Sequence, residues 1–254
     1  MSDLARRWID ELGGQPVEEA SAALDALIAD ERLSAWHESL EFARDKQHRL
    51  RRDASYSPMD VADVIGLLRD GPPANVADLH ALLCDHLTGL DTYIRGDNSD
   101  PWRDFWEDER SQRPSTPRHE ETCRDVLLRM LRSRLPDGVD AQPEGQYAAD
   151  RRADVRVSFK NYNVPVEIKK NSHQDLWTAI EEQLIAKYTI DPDTGGHGIY
   201  LVLWFGSDID GYRGHPTDGD RPGTPGELAC RLNESLSHEQ RRRIGVVVLD
   251  VTKP

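Results

Sequence analysis

The sequence predicts a mixed α/β domain preceded by an all-helical one. Three observations carry this. Apolar residues recur at three- and four-residue spacing through roughly the first hundred residues, the signature of amphipathic helices. Short apolar runs of strand length appear after a polar stretch from Glu109 to Ser115. Those runs then alternate with helical patterns in the order α-β-β-α-β-α-β, which describes a mixed sheet with helices on both faces. The expected division is therefore an acidic all-helical domain over 1–113 and an α/β domain over 114–254.

In the first half, helical patterns cover about 2–12, 17–29, 33–51 and 58–69, broken by Gly13-Gly14, Ser57-Pro58 and Gly71-Pro72-Pro73. Asn75 is placed to cap the next helix with Asp78 three positions on, and Leu79, Leu82, Leu83, Leu87, Leu90 and Ile94 form its apolar stripe until Gly96. Trp102, Phe105 and Trp106 read as an aromatic knot that packs the end of the helical region against the next domain.

In the second half, Thr116 with Pro117 reads as the start of a helix running to about Arg134. Strands are expected near 152–159, 164–170, 198–205 and 244–251, with a weak one at 143–148. Asn161-Tyr162-Asn163 reads as a tight turn joining the first two. Helices are expected at about 173–189 and 225–238, and the segment Asp208 to Pro225, dense in Gly, Pro and Asp, as a loop.

The chain of 254 residues is 37% hydrophobic and 31% charged, a globular composition. No apolar stretch of about 18 residues and no basic-then-apolar leader occurs, so a cytoplasmic protein without a membrane span is expected. Cys84, Cys123 and Cys230 are odd in number, far apart and set in apolar helical patterns, which predicts reduced core thiols. Cys84 and His86 have no second pair at ligand spacing, so no zinc site is expected. The net charge of -14 argues against coating DNA by bulk electrostatics. Its distribution is uneven: residues 1–113 hold 13 Lys and Arg against 24 Asp and Glu, the rest 19 against 22. Local basic clusters remain at Arg151-Arg152, Lys169-Lys170 and Arg241-Arg242-Arg243, where a nucleic acid would dock.

Asp154, Glu167 and Lys169 carry the chemistry. Glu167 and Lys169 alternate with Val166 and Ile168 on one short strand, so the charged pair shares a face. Asp154 lies on the strand before it. Two carboxylates and an ammonium at the centre of a sheet are costly to bury unless a cation sits between the carboxylates and the lysine has a task.

The pattern Asp154, then Glu167-Ile168-Lys169 across a hairpin resembles the PD-(D/E)XK nuclease superfamily, with Ala153 where the family name has Pro. The resemblance implies a restriction-endonuclease-like fold and Mg²⁺-dependent phosphodiester hydrolysis, with Mn²⁺ as a substitute. It implies Asp154 and Glu167 as metal ligands and Lys169 as the group that orients the attacking water and stabilises developing charge. A third carboxylate is expected from the preceding helix. Glu120 shares the face of Cys123, Leu127 and Met130 or Leu131, whereas Glu121 shares that of Arg124, Asp125 and Leu128, so Glu120 is the choice. On the following helix Gln183 and Tyr188 are similar to a Gln-then-Tyr motif of the superfamily, which implies Gln183 as a further catalytic-site residue that helps order the site and contacts the nucleic-acid strand. Their spacing is five rather than four, an offset of more than one α-helical turn. Trp177, Ile180, Leu184 and Tyr188 also read as that helix's core stripe.

The runs His119 to Asp125, Arg152 to Asp154, Val164 to Lys169 and Gly198 to Trp204 look like the C-terminal nuclease module of large bacterial anti-phage defence proteins. That likeness implies DNA as substrate, and upstream sensor domains or further copies of the chain as partners. It makes residues 1–113 the end of a sensor or scaffold and the chain an excised part of a longer protein. The alternative expectation is an inactive nuclease-fold module used for DNA binding or assembly. No phosphate-binding Gly-rich loop, nucleophile elbow or zinc pattern points to another enzyme class.

Overall fold

The computed structural model describes residues 2–55, 72–108, 114–147 and 151–253. Helices α1 (Ser2–Gly13), α2 (Glu18–Ile28) and α3 (His37–Ser55) come first, with a 3-10 turn over Glu31–Trp36. Next come α4 (Val76–Gly96), the short strands β1 (Trp106–Asp108) and β2 (Pro114–Pro117), and α5 (Glu120–Arg132). The main sheet is built from β3 (Asp140–Tyr147), β4 (Arg151–Phe159), β5 (Tyr162–Lys170), β6 (Gly198–Trp204) and β7 (Ile244–Asp250). A π-helix over Ile180–Tyr188 lies between β5 and β6, and α6 (Pro225–Ser235) between β6 and β7. The helix expected at 58–69 lies outside the described residues. Among the described residues no helix is long and apolar enough to cross a membrane.

The five strands stand in chain order, antiparallel from β3 to β5 and parallel from β5 to β7. Helices cover both faces. Against one face lie α4 and α5, joining Leu83, Leu87, Leu127 and Leu131 to Val155, Val166, Ile168, Leu201 and Leu249 in one core. Against the other lie the π-helix and α6, with Ile180, Leu184 and Leu232 around Tyr200, Val202 and Trp204. The sheet is thus buried on both sides, and β6 is a continuous apolar run for that reason.

Helix α4, grouped in sequence with the acidic half, therefore shares its core with the sheet. Leu79, Leu83, Leu87, Leu90 and Ile94 are all fully buried. Gly245 on β7 permits the close approach: a Cβ there would stand 2.6 Å from Cys84 Sγ. Trp102, Phe105 and Trp106 are buried in the same core, and Trp106 Nε1 donates to Val251 O at 2.7 Å. A separate apolar cluster around Leu24, Leu40 and Ala43 holds α1 to α3 together. Asn75 Oδ1 accepts from Asp78 N at 3.0 Å, capping α4 as expected. Asn75→Ala should lower stability by about 1 kcal/mol in urea unfolding, the usual loss for a cap.

Four sequence expectations are corrected. Thr116 and Pro117 end β2 rather than start a helix, because β1 pairs Trp106 with Pro117; α5 begins at Glu120 behind His119. The hairpin turn is Lys160-Asn161, with Lys160 in the left-handed region at φ 53, and Tyr162 already pairs with Phe159. The helix expected over 173–189 becomes helical only from about Ala179, as a π-helix that ends where Thr189 N donates to Leu184 O, five residues back. Cys230 is exposed, on the solvent side of α6; Cys123 is buried, Cys84 half-buried, and all three are free.

Candidate active site

The pairing of β4 with β5 runs from Phe159–Tyr162 to Val155–Val166. Beyond it, β4 keeps its partner β3 through Ala153 and Arg152, and β5 keeps its partner β6 through Glu167 and Lys169. The two strands part at Asp154. This leaves backbone N–H groups of β5 without a strand to accept them, and two carboxylates take their place. Asp154 Oδ2 accepts from Ile168 N at 2.7 Å, and Glu120 Oε2 accepts from Lys170 N at 3.2 Å. Buried N–H groups require such partners, so the gap between the strands fixes both acids.

Lys169 stands at the centre. Its Nζ lies 2.6 Å from Glu167 Oε1, 3.7 Å from Glu120 Oε1 and 3.9 Å from Asp154 Oδ2. It also donates to Ile168 O at 3.1 Å. The Glu167 and Lys169 side chains are 3% and 6% exposed, those of Glu120 and Asp154 25% and 28%. One buried ion pair is therefore overlaid by two half-open carboxylates. Burial first, then Asp154, push the Glu167 carboxyl well above the usual carboxylate range, against the pull of Lys169. Burial works against the Lys169 charge, but Glu167, Asp154 and Glu120 outweigh it and hold the ammonium protonated.

The structure thus brings together Glu120, Asp154, Glu167 and Lys169. Glu120 reaches the sheet because Cys123, Leu127 and Leu131, on its side of α5, are buried there; Glu121 is exposed. Among the described residues no hydrogen bond joins Gln183 to the four. Gln183 is half-buried on the π-helix, and a five-residue step falls much closer to one turn there than in an α-helix. The widened helix thereby brings Gln183 nearer the side of Tyr188. Ile180, Leu184 and Tyr188 are its buried stripe, and Leu176 rather than Trp177 completes it.

Three further features were not singled out from sequence. Tyr200, register partner of Glu167 on β6, is fully buried and donates its hydroxyl to Leu176 O at 2.7 Å. Burial, then the Glu167 carboxylate, keep that hydroxyl from ionising. Asn171 ends β5, accepting from Phe205 N and donating to Gly206 O. A groove of about 360 Å³ opens over the acids, lined by Glu120, Glu121, Arg124, Arg152, Ala153 and Asp154. The shared face of Glu121 and Arg124 follows from their three-residue spacing on a helix; its place on the groove depends on where α5 docks.

Hard oxygen donors suit Mg²⁺, which usually takes one or two carboxylates and keeps several waters. Among the described residues no three Asp, Glu, His or Cys side chains already stand as a ligand set. Asp154 and Glu120 nevertheless open on the groove beside the buried Glu167, and the donor chemistry fits.

Residues 83–207 match the model of a family described as a domain of unknown function (DUF8371). The matched stretch contains all four converging residues. No curated protein and no solved structure matches the chain.

Proposed function

We propose that this chain is a Mg²⁺-dependent nuclease of restriction-endonuclease-like fold that hydrolyses DNA phosphodiester bonds, a cytoplasmic effector of bacterial anti-phage defence. The observation that carries the reading is the convergence of Glu120, Asp154 and Glu167 on the Lys169 ammonium where β4 and β5 part. The element order and the similarity to the PD-(D/E)XK pattern support it.

Asp154, Glu167 and Glu120 would hold the Mg²⁺, which when bound supplies positive charge against a scissile phosphate. The chain's own groups do the rest. Arg124 and Arg152 on the groove attract a phosphate backbone into it. Glu167 fixes the Lys169 ammonium by a short charge-assisted hydrogen bond, so the donor is already in place when charge develops. Tyr200, with its hydroxyl tied to Leu176, closes the floor of the site without competing for a proton.

The test is cleavage of supercoiled plasmid with Mg²⁺ or with chelator. Asp154→Asn keeps an acceptor for Ile168 N but loses the charge, and should abolish cleavage with the fold retained. Glu120→Gln should lower cleavage at least about tenfold, about 1.4 kcal/mol, and Glu121→Gln should not. Full activity in Asp154→Asn sinks the assignment. The alternative is an inactive nuclease-fold module for DNA binding or assembly. That reading expects DNA binding with no Mg²⁺-dependent nicking.

A further inference from the structure

Two arginines from distant parts of the chain meet over Gly196. Arg52 lies in the last turn of α3, and Arg243 directly precedes β7. Gly196 sits at φ +81, a conformation that glycine adopts without strain. A Cβ on it would stand 3.0 Å from Arg52 Nη1 and 3.2 Å from Arg243 Nη1, so both guanidinium heads flank one spot. Among the described residues the Arg52 side chain makes one long hydrogen bond, Nη1 to Thr189 O at 3.4 Å, and its buried Nε has no partner.

Among the described residues neither head forms an ion pair. Asp53 and Glu239 act on Arg52 only through space. Burial, then Arg243, oppose the Arg52 charge. Burial first, then His80, with the arginine pair adding to them, push His197 down to about 4. Two like charges half out of water are unfavourable unless an anion lies between them. Planar guanidinium forks match phosphate oxygens in both geometry and charge.

We propose that Arg52 and Arg243 form a binding site for a phosphate group at the junction of α3 with the α/β body. It lies off the candidate active site: Gly196 stands in the turn before β6 begins at Gly198, and Tyr200, the β6 partner of Glu167, lies further along that strand. One ligand would bridge two separately packed parts. Arg52 belongs to the helices around Leu24 and Leu40, Arg243 to the sheet. Occupancy ties the helical bundle down, and vacancy leaves the two cations repelling across the junction. The phosphate is either a free anion or the backbone of a nucleic acid, and the site stands without the catalytic reading.

The experiment uses the full chain and inorganic phosphate as probe, by isothermal titration and by thermal melting at constant ionic strength. Wild type should bind phosphate and melt higher with it; Arg52→Gln and Arg243→Gln should each weaken binding at least about tenfold. Arg52→Lys should recover part of it. A second arm measures binding of a single-stranded DNA oligonucleotide with Mg²⁺ withheld. A parallel loss of DNA affinity in both variants assigns a nucleic-acid backbone, and unchanged DNA affinity with lost phosphate binding assigns a free anion. Phosphate binding equal in wild type and both folded variants overturns the proposal. So does no phosphate binding by wild type together with DNA affinity that neither variant alters.

Discussion

Lys169→Met is expected to destabilise the fold by about 3–5 kcal/mol near pH 8, because it strips a buried carboxylate of the one cation paired with it among the described residues. The Lys169 side chain is 6% exposed and stands 2.6 Å from Glu167. Glu120 and Asp154, both within 4.0 Å of the same ammonium, would then repel Glu167 without relief. The loss should be strongly non-additive. Glu167→Gln with Lys169→Met removes both charges and should recover most of the stability while cleavage stays absent. Urea unfolding of the two singles and the double measures the coupling. A cost below about 1 kcal/mol for Lys169→Met would mean that the ammonium is not the counter-ion holding this site.

The same pair sets a pH dependence. The Glu167 carboxyl is raised from 4.5 to about 7 by burial and by Asp154. A carboxyl raised in the folded state binds its proton there while the unfolded chain has released it. The contribution of this group to stability is thus greatest at low pH and falls as pH climbs from 4.5 to about 7. Glu167→Gln should flatten this decline in metal-free melts between about pH 5 and about pH 8. The penalty of Lys169→Met should shrink toward the acid end, where Glu167 is neutral.

Strand alternation has a period of two, so the shared face of Glu167 and Lys169 could be read from four residues. The phase of α5 could be read from Cys123 and Leu127. Both are local patterns. What could not be read depends on partners distant in sequence. Thr116-Pro117 has the chemistry of a helix start, but pairing with Trp106 claims it for a strand. The five-residue step from Gln183 to Tyr188 has its meaning changed by a π-helix, which intrinsic propensity does not announce. An amphipathic stripe states that a helix buries one side, never against which core. Leu79 to Ile94 advertised a buried face; that the face meets β5 and β7 emerges only in three dimensions.

That last point decides where the chain can be cut. Deleting residues 1–113 removes α4, and with it five fully buried side chains that cover one face of the sheet. Each such loss costs about 2–5 kcal/mol when a large apolar residue is merely truncated to alanine, and a domain's whole stability is about 5–15 kcal/mol. The remainder should not fold, and circular dichroism should find no cooperative transition. Deleting only 1–72 leaves Asn75, α4 and the shared core, and removes the separate cluster around Leu24 and Leu40. This shorter deletion should fold. It also takes away more acidic than basic residues, so DNA affinity should rise if the acidic helices repel the phosphate backbone, and the gain should shrink as salt screens it. The shorter deletion also discards Arg52, so a fall in DNA affinity instead would show that α3 contributes more by holding phosphate than its neighbours lose by repelling it.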